Sequence, residues 1–301
     1  MVRYLARRCL HAFLLLAAVS VATFLLLNLA PGDYFDEARL NPSIAPQTIQ
    51  ALRHAHGLDA AIAVRYARWA RAALTGDFGT SVAYGMPAAR LLLPRCRNTL
   101  LLTTVTLLVT WCLALPLGVW SASIRRGWLD RLSSLAGTSM LAVPDVILAP
   151  LLLLAAARSG WLSLGGILLP VVALTAGAFP ILLRHVRATM LEVLGEPFVL
   201  AARGFGVPRQ RLLFHHILPA AANPLISLLG LSAGSLLSSS LLIEVLFGWP
   251  GLGPLFLEAV GAHDAPLVLG VVLLSASLLA IANLLADLLL YAADPRIRRT
   301  S

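Results

Sequence analysis

The sequence predicts an all-α integral membrane protein with six transmembrane helices. Two observations set the class. Mean hydropathy is +0.85, and only 12% of the 301 residues are charged, a composition outside the range of soluble domains. A third sets the count, because six apolar runs bounded by charge each approach the ~20 residues that a helix needs to cross a ~30 Å hydrocarbon core.

The first run extends from Cys9 to Ala30, between Arg8 and Asp33. Its basic start resembles a secretory signal peptide, but the apolar body exceeds the ~7–15 residues of such peptides and no small-x-small site follows, so a retained span is expected. The second run is Asn98 to Ile124, the third Leu132 to Ala157 with Asp145 inside it, and the fourth Trp161 to Leu183. The fifth lies within Ile217 to Ile243 and the sixth is Ala265 to Ala286. The chain thus divides into a first span (1–31), an external segment (32–97) and a five-helix core (98–301) with a long internal loop at 184–216.

Arginine placement gives the orientation. All 23 basic residues are arginine. With a cytoplasmic N-terminus, fourteen fall on the cytoplasmic side; Arg158 and eight in the 66-residue external segment fall outside. Translocated segments longer than ~60 residues escape the positive-inside rule, so both termini are expected inside. The arginines lie between apolar runs rather than on one soluble face, which argues against a nucleic-acid partner; the expected surroundings are membrane lipid.

Catalytic and metal chemistry find no constellation. Cys9, Cys96 and Cys112 are odd in number and lack CxxC spacing, and His54 and His56 stand two apart, on different sides of a helix. No phosphate-cradling GxxxxGK[ST] loop or HExxH occurs. No cofactor or metal is expected, and the chain is read as a non-enzyme. Charges within spans are the remaining candidates. Asp145, beside Pro144 in the third span, has either a pathway role or a pairing role. Glu244, at the outer end of the fifth, is read as a structural or gating contact.

The internal loop contains EPFVLAARGFGVPRQRLLFHHILP. Pro197 suits a helix first turn, which leaves its N–H unpaired anyway. PFVLAAR supplies about two turns with Phe198, Ala201 and Ala202 on one side. Gly204 and Gly206 permit a sharp turn, Pro208 starts another helix, and Pro219 ends or bends it. A short surface helix with a small-residue face is expected, shaped for close approach of a partner.

This stretch resembles the EAA loop of ABC-transporter permeases: Glu-Ala-Ala, three residues, Gly, nine residues, Ile, one residue, Leu-Pro. Ala201, Ala202, Gly206, Leu218 and Pro219 fall on the pattern, while Leu200 stands for the glutamate and His216 for the isoleucine. RYLARR, LAPGD, GDFGTS, LPLGVWSA, IEVLFGWPGLG and DPRIR, in that order, are similar to phrases of the dipeptide, oligopeptide and nickel branch. The resemblance implies a bacterial inner-membrane permease subunit of an importer, with peptides as default solute and nickel or another small solute as the alternative. It further implies a second permease, two cytoplasmic ATPase subunits and an external solute-binding protein. Phe198, Leu200, Ala201, Ala202, Arg203, Gly206 and Pro219 would be the ATPase-coupling residues. A secondary transporter or channel also fits six spans, but no inverted repeat is visible.

Overall fold

The computed structural model describes residues 2–29, 47–48, 60–123, 145–159 and 166–293. In chain order the helices are α1 (Val2–Leu29), α2 (Ile62–Ala73), α3 (Ala88–Ser123), α4 (Asp145–Ser159), α5 (Leu168–Leu194), α6 (Pro197–Gly204), α7 (Arg209–Leu212), a π turn (Leu213–Ile217), α8 (Leu218–Phe247), α9 (Leu252–Gly261) and α10 (Ala265–Ala293). Among the described residues the β structure is one isolated bridge, Thr80 to Pro87.

Among the described residues, five helices are long and apolar enough to cross a membrane: Ala6–Leu29, Ala88–Ser123, Leu168–Leu194, Arg209–Phe247 and Ala265–Ala293. The expected third span begins outside the described residues; its second half is α4, a shorter apolar helix. The phrases LAPGD and DPRIR also lie largely outside them.

Two helices run past the charges that bound their apolar runs, for one reason. Arg97 and Arg184 mark the ends of apolar runs, and the helices do not stop there. α3 begins ten residues before Asn98, with Leu92 fully buried in that extension. α5 continues eleven residues past Leu183, with Val186, Met190, Val193 and Leu194 recurring at helical spacing on a buried stripe. A charge ends the membrane-compatible run, whereas a helix ends only where its backbone bonding or periodicity fails.

Several hydroxyls inside these helices are satisfied locally, as suits a lipid environment. Ser20 donates to the Ala17 carbonyl, Thr23 to Val19, Thr106 to Leu102, Ser123 to Val119 and Ser277 to Leu273, at 2.7 to 2.9 Å. The back-bonded pattern spares each polar group a partner outside its own helix.

The chain forms two compact units, one of residues 1–6, 100–249 and 279–301, the other of 7–99 and 250–278. The first has two buried clusters. Leu102, Ala149, Leu174, Leu236 and Ile243 join α3, α4, α5 and α8; Ala114, Val186, Met190, Val199, Leu212 and Ile217 join α3 and α5 to the segment after α5. Close approach is built from small residues. A Cβ on Gly230 would stand 2.4 Å from the Ala286 Cβ, so α8 and α10 touch there almost backbone to backbone. Gly230→Val is expected to lose about 1–3 kcal/mol, the usual cost of overpacking, while Gly261→Ala, with open space around its Cβ, is expected to leave the melting temperature in detergent unchanged. Equal melting of the two variants would contradict this packing.

The second unit is closed by turns. Residues 79–88 form a tight loop in which Ser81 N–H donates to Met86 carbonyl, Gly85 N–H to Ser81 carbonyl and Ala88 N–H to Gly79 carbonyl. Its core includes Leu92, Leu252, Leu255, Ala259 and Leu267. α9 is absent from the sequence-based expectation, because LGPLFLEAVG is too short for a span and follows a glycine-proline turn.

Candidate functional site

The segment leaving α5 is built by capping chemistry. Gly195 caps α5, its N–H shared between the Leu191 and Glu192 carbonyls. Glu196 is extended and Pro197 occupies the first turn of α6, where a missing N–H costs nothing. Val199 is fully buried and packs with Val186, Met190 and Leu212, so this eight-residue helix is pinned by one face.

Its end is a Schellman motif. Gly206 has φ +75°; its N–H donates to the Arg203 carbonyl, and Val207 N–H reaches back to the Ala202 carbonyl at 3.1 Å. These are the two reversed bonds of that cap, and the apolar contact that accompanies it is met by Ala202 and Val207, both packed on the same cluster. The four-residue interval from Ala202 to Gly206 is therefore a geometric requirement. Ala202 is the third residue from the helix end and Gly206 the left-handed residue beyond it.

The other face of α6 is open. Phe198 is 43% exposed, Leu200 62% and Phe205, at the tip between two glycines, 89%. Ala201 and Arg203 are also exposed, whereas Ala202 turns inward. The structure thus brings Phe198, Leu200, Ala201 and Arg203 to one surface, with Ala202 and Gly206 shaping the backbone beneath it. Phe205 was not singled out by sequence reasoning; an aromatic side chain in GFG with no apolar neighbour along the chain is the available signal.

The return to the membrane runs through α7 and the π turn. Pro208 is extended and caps α7. Arg209 donates to the Ser123 carbonyl at the end of α3, 2.8 Å away, tying the loop to a second helix. Pro219 neither ends nor breaks the helix, contrary to the simplest expectation. It has no N–H for the His215 carbonyl, and the backbone widens just before it, Leu218 N–H bonding to Leu213 five residues back. Between the ends of α3 and α5 and this loop lies a cavity of about 440 Å³, lined in part by Ser123, Leu200, Arg203 and Arg209.

Glu244 is fully buried in the last turn of α8. Gly248, left-handed at φ +65°, ends that helix, and Trp249 N–H closes onto the Glu244 carbonyl at 2.9 Å. Asp145 opens α4; its side chain lies outside the described residues. The structure keeps the Glu244 carboxylate in α8, apart from α6.

A second polar site, in the other unit, was missed in the sequence. Asp264 is fully buried. It accepts from the Ser81 hydroxyl at 2.6 Å, Ala83 N–H at 3.0 Å and Leu267 N–H at 3.3 Å, so one carboxylate clamps the 79–88 loop and caps α10. In the same unit Thr99 accepts from Leu252 N–H, and Asn98 donates to the Pro250 carbonyl. Tyr84 donates to Glu258 at 2.9 Å, and that bond, with some burial, raises the phenol above its ordinary value of 10.

Among the described residues, five membrane-length helices and an exposed helix-turn-helix elbow define a polytopic helical membrane protein. Residues 114–299 match the family described as binding-protein-dependent transport system inner membrane component, and residues 1–94 match its N-terminal counterpart. The chain belongs to this family of importer permeases. It is 30% identical to the oligopeptide transport system permease protein AppB of Bacillus subtilis over 315 residues, covering 99% of each chain. It is 32% identical to the glutathione transport system permease protein GsiC of Salmonella paratyphi A over 307 residues, again 99% of each. A chain of the inward facing MetNI methionine ABC transporter superposes with TM-score 0.57 at 23% identity, covering 68% of this chain and 96% of that one. That likeness concerns the fold. The protein is accordingly a multi-pass permease component of the inner membrane, a class that is not itself catalytic.

Proposed function

We propose that this chain is one permease subunit of an ATP-binding-cassette importer for peptides and that α6 with the turn at Gly206 is its coupling element. One observation carries the coupling part: a short helix pinned on one side by Val199 presents Phe198, Leu200 and Phe205 on the other. An exposed apolar surface on a rigid mount is what a partner's groove recognises. ATP is hydrolysed by two separate cytoplasmic ATPase subunits. When they close, α6 moves as a rigid body, and the spans switch between outward and inward access as two discrete arrangements.

The remaining parts of the reading follow the family. Residues 132–157 supply a sixth span, both termini are cytoplasmic, a second homologous permease completes the path, and an external binding protein selects the solute. Peptide as the solute is supported by relatives named for oligopeptide, dipeptide and glutathione transport. Asp145 and Glu244 are assigned to the pathway or its gating, on the general ground that acidic groups within spans are costly and retained for function.

The test is affinity purification of the tagged chain from its own host in mild detergent, followed by mass spectrometry and by peptide uptake in reconstituted vesicles. ATPases with P-loops, a second permease and ATP-dependent peptide uptake are expected. Purification alone or only with copies of itself, while ATPases are present in the starting membrane, contradicts the proposal.

A further inference from the structure

The helix α2 is not used by the transport reading. It is amphipathic in three stripes. Tyr66, Trp69 and Ala73 form one; Ala63, Ala67, Ala70 and Leu74 a second; Arg65, Arg68 and Arg71 a third. The first stripe is seated on α1. The Tyr66 hydroxyl hydrogen bonds with Ser20 at 2.9 Å, and its ring meets Phe24 edge on at 5.4 Å between centroids. Arg65 is also taken by α1, donating to the Asn28 amide oxygen at 3.0 Å and lying 5.9 Å over the Phe24 ring.

These contacts fix a depth. Ser20 lies nine residues before the end of α1 at Leu29, or about 13 Å along the helix. The apolar stretch of α1 has 24 residues, about 36 Å at that rise, only slightly longer than a ~30 Å core. A hydroxyl bonded at Ser20 therefore reaches below the membrane surface, and the helix that carries it runs at the level of the headgroups. At this level the other two stripes acquire a meaning. Leu74 is 79% exposed and Val64 47% exposed, while Arg68 and Arg71 are exposed on the flank away from the tyrosine. Exposed apolar groups beside exposed arginines suit a boundary between hydrocarbon and anionic headgroups, and suit bulk water poorly.

We propose that α2 lies in the interface of the leaflet where α1 ends, and that Arg68 and Arg71 hold anionic phospholipid headgroups there. The assignment stands on α1 and α2 alone and is independent of what the protein transports. It makes α2 a lipid-anchored brace for the outer half of α1, whose attachment follows the charge of the membrane.

The experiment uses the full chain with its co-purifying partners, its three cysteines replaced by serine, in vesicles of phosphatidylcholine with or without one part in three of phosphatidylglycerol. A nitroxide on Leu74→Cys is read by power saturation against oxygen and a water-soluble nickel chelate. Spin-labelled phosphatidylglycerol and phosphatidylcholine report lipid preference in the parent and in the Arg68→Gln/Arg71→Gln double variant. The label is expected to favour oxygen over nickel. The preference for the anionic lipid is expected to fall by about fivefold for each arginine at low salt, to shrink with added salt in the parent, and to return in Arg68→Lys/Arg71→Lys. A label as open to nickel as one on a soluble peptide, or an anionic preference unchanged in the double glutamine variant, overturns the proposal.

Discussion

Gly206→Val is expected to reduce ATP-dependent uptake at least about tenfold while the protein inserts and accumulates normally. The residue holds φ +75°, a region that costs an L-residue about 1–2 kcal/mol and a β-branched one more. Space is not the obstacle, since a Cβ there would have no neighbour within 4 Å; the strain is purely one of backbone angle. Relieving it breaks the reversed bonds from Gly206 to Arg203 and from Val207 to Ala202, and the end of α6 then points elsewhere. A shift of about 1.4 kcal/mol is a tenfold change in the population of the docking geometry. Since Val199 and the membrane helices are untouched, insertion and detergent stability change little. Gly206→Asn, which tolerates left-handed angles better, is expected to retain most uptake. Uptake measured in vesicles from cells expressing equal amounts of each variant decides it, and normal uptake by Gly206→Val refutes a coupling role for this turn.

Asp264→Ala is expected to produce the largest loss of stability, on the order of 3 kcal/mol. The substitution removes one acceptor and strands three buried or half-buried donors: the Ser81 hydroxyl, Ala83 N–H and Leu267 N–H. A buried donor without its acceptor costs about 1–3 kcal/mol, partly recovered as the 79–88 loop opens to water. Asp264→Asn keeps one carbonyl acceptor and is expected to fall between the two. Ser81→Ala takes one of three donors from the carboxylate and the acceptor from Tyr84 N–H, and is expected to cost less than Asp264→Ala. Thermal unfolding in detergent, followed by the monodisperse fraction, gives the ranking. Asp264→Ala melting no lower than Ser81→Ala shows that the carboxylate is not the clamp.

The helical membrane class was legible because it rests on apolar runs, which are a local property. Helix ends were less so. Arg184 was read as the end of a span, but Val186, Met190 and Val193 carry the helix on, since periodicity and not charge governs the backbone. The short helix and its turn were legible in outline, from Pro197, the alanines and the glycines. Its physical logic, the fixed interval between Ala202 and Gly206, emerged only with the bonds themselves. Pro219 was read as ending or bending the helix; the absence of one N–H has two remedies, breaking the helix or widening it, and the sequence does not choose between them. Asp264 was invisible for a different reason. Its partner Ser81 lies 183 residues away, and an aspartate before an apolar run looks like any helix cap. Phe205, the most exposed large apolar side chain among the described residues, passes in the sequence for an ordinary loop residue.

The central claim is that the elbow from Pro197 to Gly206 seats in a partner ATPase. It is tested most directly by placing a photoreactive phenylalanine analogue at Phe205, at the tip, and irradiating native membranes with and without a non-hydrolysable ATP analogue. The account predicts a cross-link to a P-loop ATPase whose yield changes with nucleotide, and no such product from the same analogue at Leu93, 62% exposed on α3. A product limited to lipid or to a second copy of this chain, with the ATPase present in the same membranes, contradicts it.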